Sequence, residues 1–225
     1  HTANRRQRQM CIRDSVKTDA IQSDIIPCLA ARIKHLLKVK NPKCVAYDIL
    51  FGCPGWIEGV VQAQAYIRAG MAKKCLVIGT ETLSRVTDEH DRDSMIYADG
   101  AGACIVEASL DVGVIAHESA SYTYDEVYHL FFGNSNNKSC DKNVRFIKMY
   151  GRKIYEFALN NVPSAMKACL DSSGYGIKDV KKILIHQANE KMDEAIVKRF
   201  YRLYKTAVPE DLSLIHISEP TRLNP

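Results

Sequence analysis

The sequence has few of the features that most directly announce a class of protein. None of its apolar runs reaches the ~20 residues needed to cross a bilayer, and no secretory signal pattern opens the chain. Its eight cysteines form no CxxC pair and no finger-like spacing, which argues against a zinc fold. They read as reduced thiols of a cytoplasmic protein. No stretch interleaves aromatic and basic residues in the manner of an RNA-binding surface, and the net charge of +5 is too mild to demand nucleic acid, though it suits an acidic partner. The glycine-containing run Asp99-Gly100-Ala101-Gly102-Ala103 has neither the lysine of a P-loop nor the third glycine of a dinucleotide site. It reads as a tight packing turn feeding a strand over 103–108.

What is present is a composition that is 46% hydrophobic, as in soluble globular proteins. The two ends depart from it. Residues 1–15 start without methionine and show no amphipathic period, and 212–225 break the helical rhythm before them. Both resemble translated adapter sequence, so 1–15 is expected to be a non-native leader and 212–225 a non-native tail. The four arginines and one aspartate of the leader account for +3 of the +5 charge.

Two residues stand out chemically. Cys53 follows an apolar, strand-like stretch from Cys44 to Phe51, and Pro54-Gly55 then open a helix-like segment running to about Gly70. A thiol at such a turn meets unpaired N–H groups and the positive end of the helix dipole. That setting lowers a cysteine pKa and supplies thiolate near neutral pH, while the elbow exposes the side chain. The plain alternative is a small buried core residue. His186 comes 133 residues later, directly after the apolar Ile183-Leu184-Ile185 and before a helix-like stretch over 190–204. A histidine at a strand end can exchange protons or donate to a developing oxyanion. His117 is its nearest competitor and reads as an ordinary strand residue.

The remaining periodicity alternates strand and helix, which predicts parallel strands joined by right-handed crossovers. Helices are expected over 25–39, 56–69, 150–172 and 190–204, with Pro163 a candidate kink in the third. Strands are expected over 44–51, 75–79, 104–108, 112–117 and 183–186. Residues 87–93 read as a charged loop and 133–139 as a polar surface loop. A boundary near Asp111 separates an N-terminal half, 16–110, carrying Cys53 from a C-terminal half, 111–211, carrying His186.

Taken in order, the Cys53 elbow, Gly79-Thr80-Glu81, Asp91-Arg92, Asp99-Gly100-Ala101-Gly102-Ala103, Met149-Tyr150-Gly151-Arg152 and His186-Gln187-Ala188-Asn189 resemble the β-ketoacyl-acyl-carrier-protein synthase III enzymes of the thiolase superfamily. The resemblance runs from about Ser23 to Asp211. It implies an α/β, thiolase-like fold: two related βαβ-containing halves in a layered αβαβα arrangement, incomplete in this chain. It implies an acyltransferase that condenses an acyl-CoA primer with malonyl-acyl carrier protein, releasing carbon dioxide and a 3-oxoacyl-carrier protein, at the start of fatty acid synthesis. Cys53 would carry the acyl group and His186 would stabilise the enolate, with no metal or other cofactor. Arg92 would contact the CoA nucleotide, where the simpler reading is a surface salt bridge to Asp91 or Asp93. Arg152 and Asn189 would line the same tunnel, and Lys191, Lys198 and Arg199 would receive the acidic carrier protein. A homodimer, with no nucleic acid or membrane partner, is also implied.

Two departures qualify this picture. Phe51 and Trp56 replace the small residues that flank the nucleophile in many members, which bears on acyl preference. The family's third catalytic residue, an asparagine in a Gly-Asn-Ser/Thr motif after the histidine, has no counterpart after His186, so this chain on its own is expected to be inactive. Rival readings are an acyltransferase of secondary metabolism, a non-catalytic scaffold of the same fold, and a cysteine hydrolase.

Overall fold

In the computed structural model, the described residues are 9–15, 27–110, 113–122, 125–186, 190–210 and 212–216. The expected strand–helix alternation opens the chain. Strand β1 (Gln9–Ser15) precedes helix α1 (Leu29–Leu36), strand β2 (Val45–Leu50), helix α2 (Gly55–Arg68) and strand β3 (Lys74–Thr82). Strand β4 (Asp99–Glu107) completes a four-stranded sheet of order β2-β1-β3-β4. β1 runs parallel to both β2 and β3, and β4 is antiparallel to β3. No element was expected over residues 9–15. The ladder is made by backbone groups, so an extended segment can occupy this position without a strand-like side-chain pattern.

The first unit comprises 1–85 and 98–114. Its core is Ala63, Ala72, Cys75 and Val77, flanked by Tyr47, Ile49, Val60, Tyr66 and Val106. Alternation along β3 puts Cys75 and Val77, both 0% exposed, on the face packed against α2. α1 is shorter than its apolar stripe suggested, and its cap comes from the sheet. Cys28 at the N-cap makes no side-chain capping bond, and Asp48 of β2 accepts from the backbone N–H groups of Leu29 (3.0 Å) and Ala30 (2.8 Å) instead.

Two strand expectations need correction. The Asp99–Ala103 run is no turn: it pairs with Thr82–Ile78 inside β4. Residues 113–117 form no strand. Their backbone is engaged from outside a ladder, with the Val114 carbonyl accepting from Gln64 (2.5 Å) and Arg68 (3.4 Å) of α2.

The second unit comprises 86–97 and 115–225. It contains an antiparallel pair, β5 (Leu130–Gly133) with β6 (Phe146–Met149), the long helix α3 (Gly151–Ser173), and β7 (Lys182–Ile185) parallel to β8 (Ser213–His216), with α4 (Glu190–Leu203) between them. Helix α4 buries Met192, Asp193, Ile196, Val197, Phe200 and Tyr201, the i, i+1, i+4 spacing of a helix with one face in a core. The residues read as a charged loop and a surface loop are joined here. Ile147 N–H donates to the Val86 carbonyl at 2.9 Å. Lys148 of β6, 8% exposed, places its ammonium 2.6 Å from both Asp88 and Asp91. Asp88, 2% exposed, also accepts from Ser135 Oγ (2.8 Å) and from the backbone N–H groups of Asn136 (2.7 Å) and His90 (3.1 Å). Gly133 leaves room for the lysine stem, since a Cβ there would stand 3.1 Å from Lys148 Cγ.

Burial pushes the Asp88 carboxyl up, but the bonds from Lys148, Asn136, Ser135 and His90 outweigh it and hold it well below the usual carboxylate range. The Lys148 bond and the Asp93 N–H lower Asp91 as well. Burial lowers Lys148, and its two aspartates more than reverse this.

Pro163 lies within α3 without ending it. Proline has no N–H, so the Leu159 carbonyl loses its helical donor. Arg199 of α4 replaces it at 2.8 Å and also reaches Asn160 Oδ1 at 3.1 Å.

Lys148→Met strands a buried carboxylate and is expected to cost about 3–5 kcal/mol, read as a lower urea midpoint at neutral pH. In the parent, the carboxylate contribution is present above about pH 4 and is lost as pH falls through the depressed folded values. The lysine contribution is present below about pH 10.4 and is lost as pH rises through the raised folded value. A midpoint unmoved by the substitution would show that the cluster does not stabilise the fold. Arg199→Ala is expected to cost about 1–3 kcal/mol, and less in a Pro163→Ala background, where a backbone donor returns. Equal costs in the two backgrounds would separate Arg199 from the proline.

Candidate active site

β2 ends at Leu50 and α2 begins at Gly55, so Cys53 lies in the connecting turn. The turn is closed by the Gly55 N–H donating to the Gly52 carbonyl at 2.9 Å, and Pro54 is the N-cap at φ −81°, ψ 5°. Proline fits that φ and cannot cap with its side chain. Cys53 is exposed on this elbow. The expected strand–thiol–helix arrangement is therefore formed, and the alternative of a buried core cysteine does not hold. Cys44 and Cys75 are the buried ones. Burial pushes the Cys75 thiol up to about 11, with Cys44 adding to it, so Cys75 stays protonated and inert at neutral pH.

His186 follows β7 directly and is exposed. The protein packed about its ring still pushes its pKa below the ordinary histidine value, and the Asp193 carboxylate pulls the other way. The net direction favours neutral imidazole at pH 7, the form able to donate one proton and accept another. Asp193 is buried in the first turn of α4, where a negative charge also complements the helix dipole. Its effect on His186 was not read from the sequence.

The other expected site residues fall in varied settings. Arg92 opens a short 3-10 helix over 92–96 and is exposed. Of the two carboxylates offered as its simpler partners, Asp91 or Asp93, Asp91 is engaged elsewhere: it pairs with Lys148 and accepts from the Asp93 N–H at 3.1 Å. Arg152, 91% exposed, pairs with Glu156 at 2.9 Å along α3. Lys198 pairs with Glu194 at 3.0 Å, and Arg199 is the carbonyl donor described above. Lys191 is exposed on α4. Asn189 lies outside the described residues. Cys53 belongs to the first unit, and Arg92, Arg152, His186, Lys191, Lys198 and Arg199 to the second.

Residues 47–123, which include the elbow and Arg92, match the family model described as 3-oxoacyl-[acyl-carrier-protein (ACP)] synthase III. The β-ketoacyl-[acyl-carrier-protein] synthase III of Rhizobium johnstonii is 33% identical over 181 residues, or 77% of this chain and 54% of that protein. The chain is similar to the synthase III enzymes over about three quarters of its own length. It spans about half the length of the curated synthase III relatives it matches. The crystal structure of the synthase III of Thermus thermophilus superposes with a TM-score of 0.73 at 25% identity, covering 92% of this chain and 62% of that one. A priming β-ketosynthase of the R1128 polyketide pathway superposes with a TM-score of 0.77 at 23% identity, covering 92% and 60%. The fold is thus the α/β, thiolase-like fold of the synthase III enzymes. No helix among its described residues is long and apolar enough to cross a membrane.

Asp193→Asn removes the charge that raises the His186 pKa, so the imidazole is expected to titrate lower still. Proton–nitrogen NMR of the ring checks this, and an unchanged or higher value would show that the carboxylate does not act on the histidine.

Proposed function

We propose that the protein to which this chain belongs is a decarboxylating condensing enzyme that joins an acyl-CoA primer to malonyl-acyl carrier protein. The observation that carries this reading is the exposed Cys53 at a strand-to-helix elbow inside the segment that matches the synthase III family.

The Cys53 thiolate attacks the acyl-CoA carbonyl and expels the CoA thiolate, leaving an acyl thioester on the protein. Malonyl-carrier protein then loses carbon dioxide. The electron pair of the broken bond becomes an enolate, and neutral His186 stabilises it by hydrogen bonding to the thioester oxygen. The enolate carbon attacks the Cys53 thioester and expels the Cys53 thiolate, which restores the nucleophile and yields a 3-oxoacyl-carrier protein. Since decarboxylation generates the carbanion, no strong base is required.

Arg92, whose guanidinium Asp91 leaves unclaimed, suits an anionic group such as a CoA phosphate. Arg152 and Asn189 are assigned to the same substrate tunnel. Lys191 and Lys198 present cations to an acidic carrier protein, and Arg199 adds charge while serving the α3 carbonyl. Cytoplasmic residence, a homodimer and a family-type asparagine as the third catalytic group complete the proposal.

Intact-protein mass spectrometry after incubation with acetyl-CoA, on this chain and on a full-length protein containing it, tests the reading. An acyl adduct mapped to Cys53 is expected, absent in Cys53→Ser. His186→Ala is expected to keep the adduct and to lose condensation with malonyl-carrier protein by at least ~100-fold. No adduct on either form would overturn the proposal, and loss of loading in His186→Ala would overturn the division of roles.

A further inference from the structure

Trp56, the single tryptophan of the chain, lies three residues after Cys53 in the first turn of α2. Cys53 precedes α2 and Trp56 is its second residue; three residues of chain span at most ~11 Å, so the two positions lie close together. The position of the indole is fixed by the sheet beneath it. A Cβ on Gly79 of β3 would meet Trp56 Cβ and Cδ1 at 3.3 Å each, so a side chain there would press the indole away from the strand by a few tenths of an ångström. The indole N–H also approaches the Cys104 thiol of β4.

The register explains how one ring reaches both strands. Gly79 pairs with Gly102 and Val77 with Cys104, and directly opposed residues share a face of the sheet. The face that carries Cys75 and Val77 against α2 therefore continues into a Gly79–Gly102 pair that bears no side chains. At Gly79 that strip is covered by the indole. At Gly102 it is open, since a Cβ there would meet nothing within 4 Å. Trp56 itself is 36% exposed, one part seated on Gly79 and the rest facing outward.

We propose that Trp56 sets the length of the acyl group accepted on Cys53. The indole, seated on Gly79, is a wall three residues along the chain from the Cys53 sulfur, and it favours short acyl primers over long ones. The open strip at Gly102 is the ground that a longer chain would occupy once the wall is removed. This inference rests on the reading of Cys53 as the acyl-carrying thiol.

The test is competitive loading of Cys53 from an equimolar set of straight-chain acyl-CoAs, acetyl to octanoyl, read by intact mass in whichever form of the protein loads. The parent is expected to favour the short members. Trp56→Ala is expected to raise the octanoyl-to-acetyl ratio at least ~10-fold, in line with what one apolar pocket discriminates. Adding Gly102→Leu to Trp56→Ala fills the strip and should pull the ratio back toward the parent value, a reversal that general loosening of the fold would not produce. If Trp56→Ala does not fold, Trp56→Leu replaces it and is held to the same ratio. Adducts on Cys53 with an unchanged ratio would overturn the inference and leave the condensing-enzyme reading standing. No adduct on the parent from any acyl-CoA would overturn both.

Discussion

The second unit is organised around one buried lysine. Lys148 could not sit at 8% exposure on a strand without compensation, and Asp88 could not be buried at 2% without a cation. Each makes the other's position tenable, and Asp91 shares the load. Through Asp88 the cluster draws in the backbone of residues 90 and 136 and the Ser135 hydroxyl, so three separated segments converge on two carboxylate oxygens. Pairing of this kind is a weaker source of stability than apolar packing. Its value here is in specifying geometry, because a short two-stranded pair such as β5–β6 has little intrinsic stability of its own. Arg92 follows Asp91 directly in the chain and is exposed.

A similar division of labour appears at α3 and α4. Pro163 costs the helix a donor, and a charged side chain on the neighbouring helix restores it. Arg199 is therefore doubly constrained, since its head must remain near Leu159 whatever else it contacts. Charge on the surface of α4 is not uniform in kind. Lys191 and Lys198 extend outward from the helix, whereas Arg199 is part of the packing between helices.

The Cys53 elbow was legible in the sequence because every determinant of it is local. An apolar run, a turn residue and a following helix lie within about 25 residues, and the structure forms them in that order. The same holds for β7, His186 and α4. What escaped the reading was non-local. The Asp88–Lys148 pair spans 60 residues, and nothing in either neighbourhood distinguishes it from ordinary surface charge. The β5–β6 pair is too short to show a period. Strand β4 was shortened because Asp99-Gly100-Ala101-Gly102 carries turn-type residues, and only its partner β3 keeps it extended. Residues 113–117 differ in the opposite sense: their apolar character suggests a strand, and among the described residues no strand pairs with them.

The division of the chain into units has a consequence for how it could be taken apart. Residues 86–97 belong to the second unit, yet they connect β3 to β4, neighbouring strands of the first. Two sequence segments thus contribute to each unit, and the shortest of them is anchored by buried charge. No single scission can release either unit as a continuous peptide. A protease nick within 86–97 would leave both units in place but unlink β4 from β3, turning an intramolecular strand pairing into an association between two separate polypeptides.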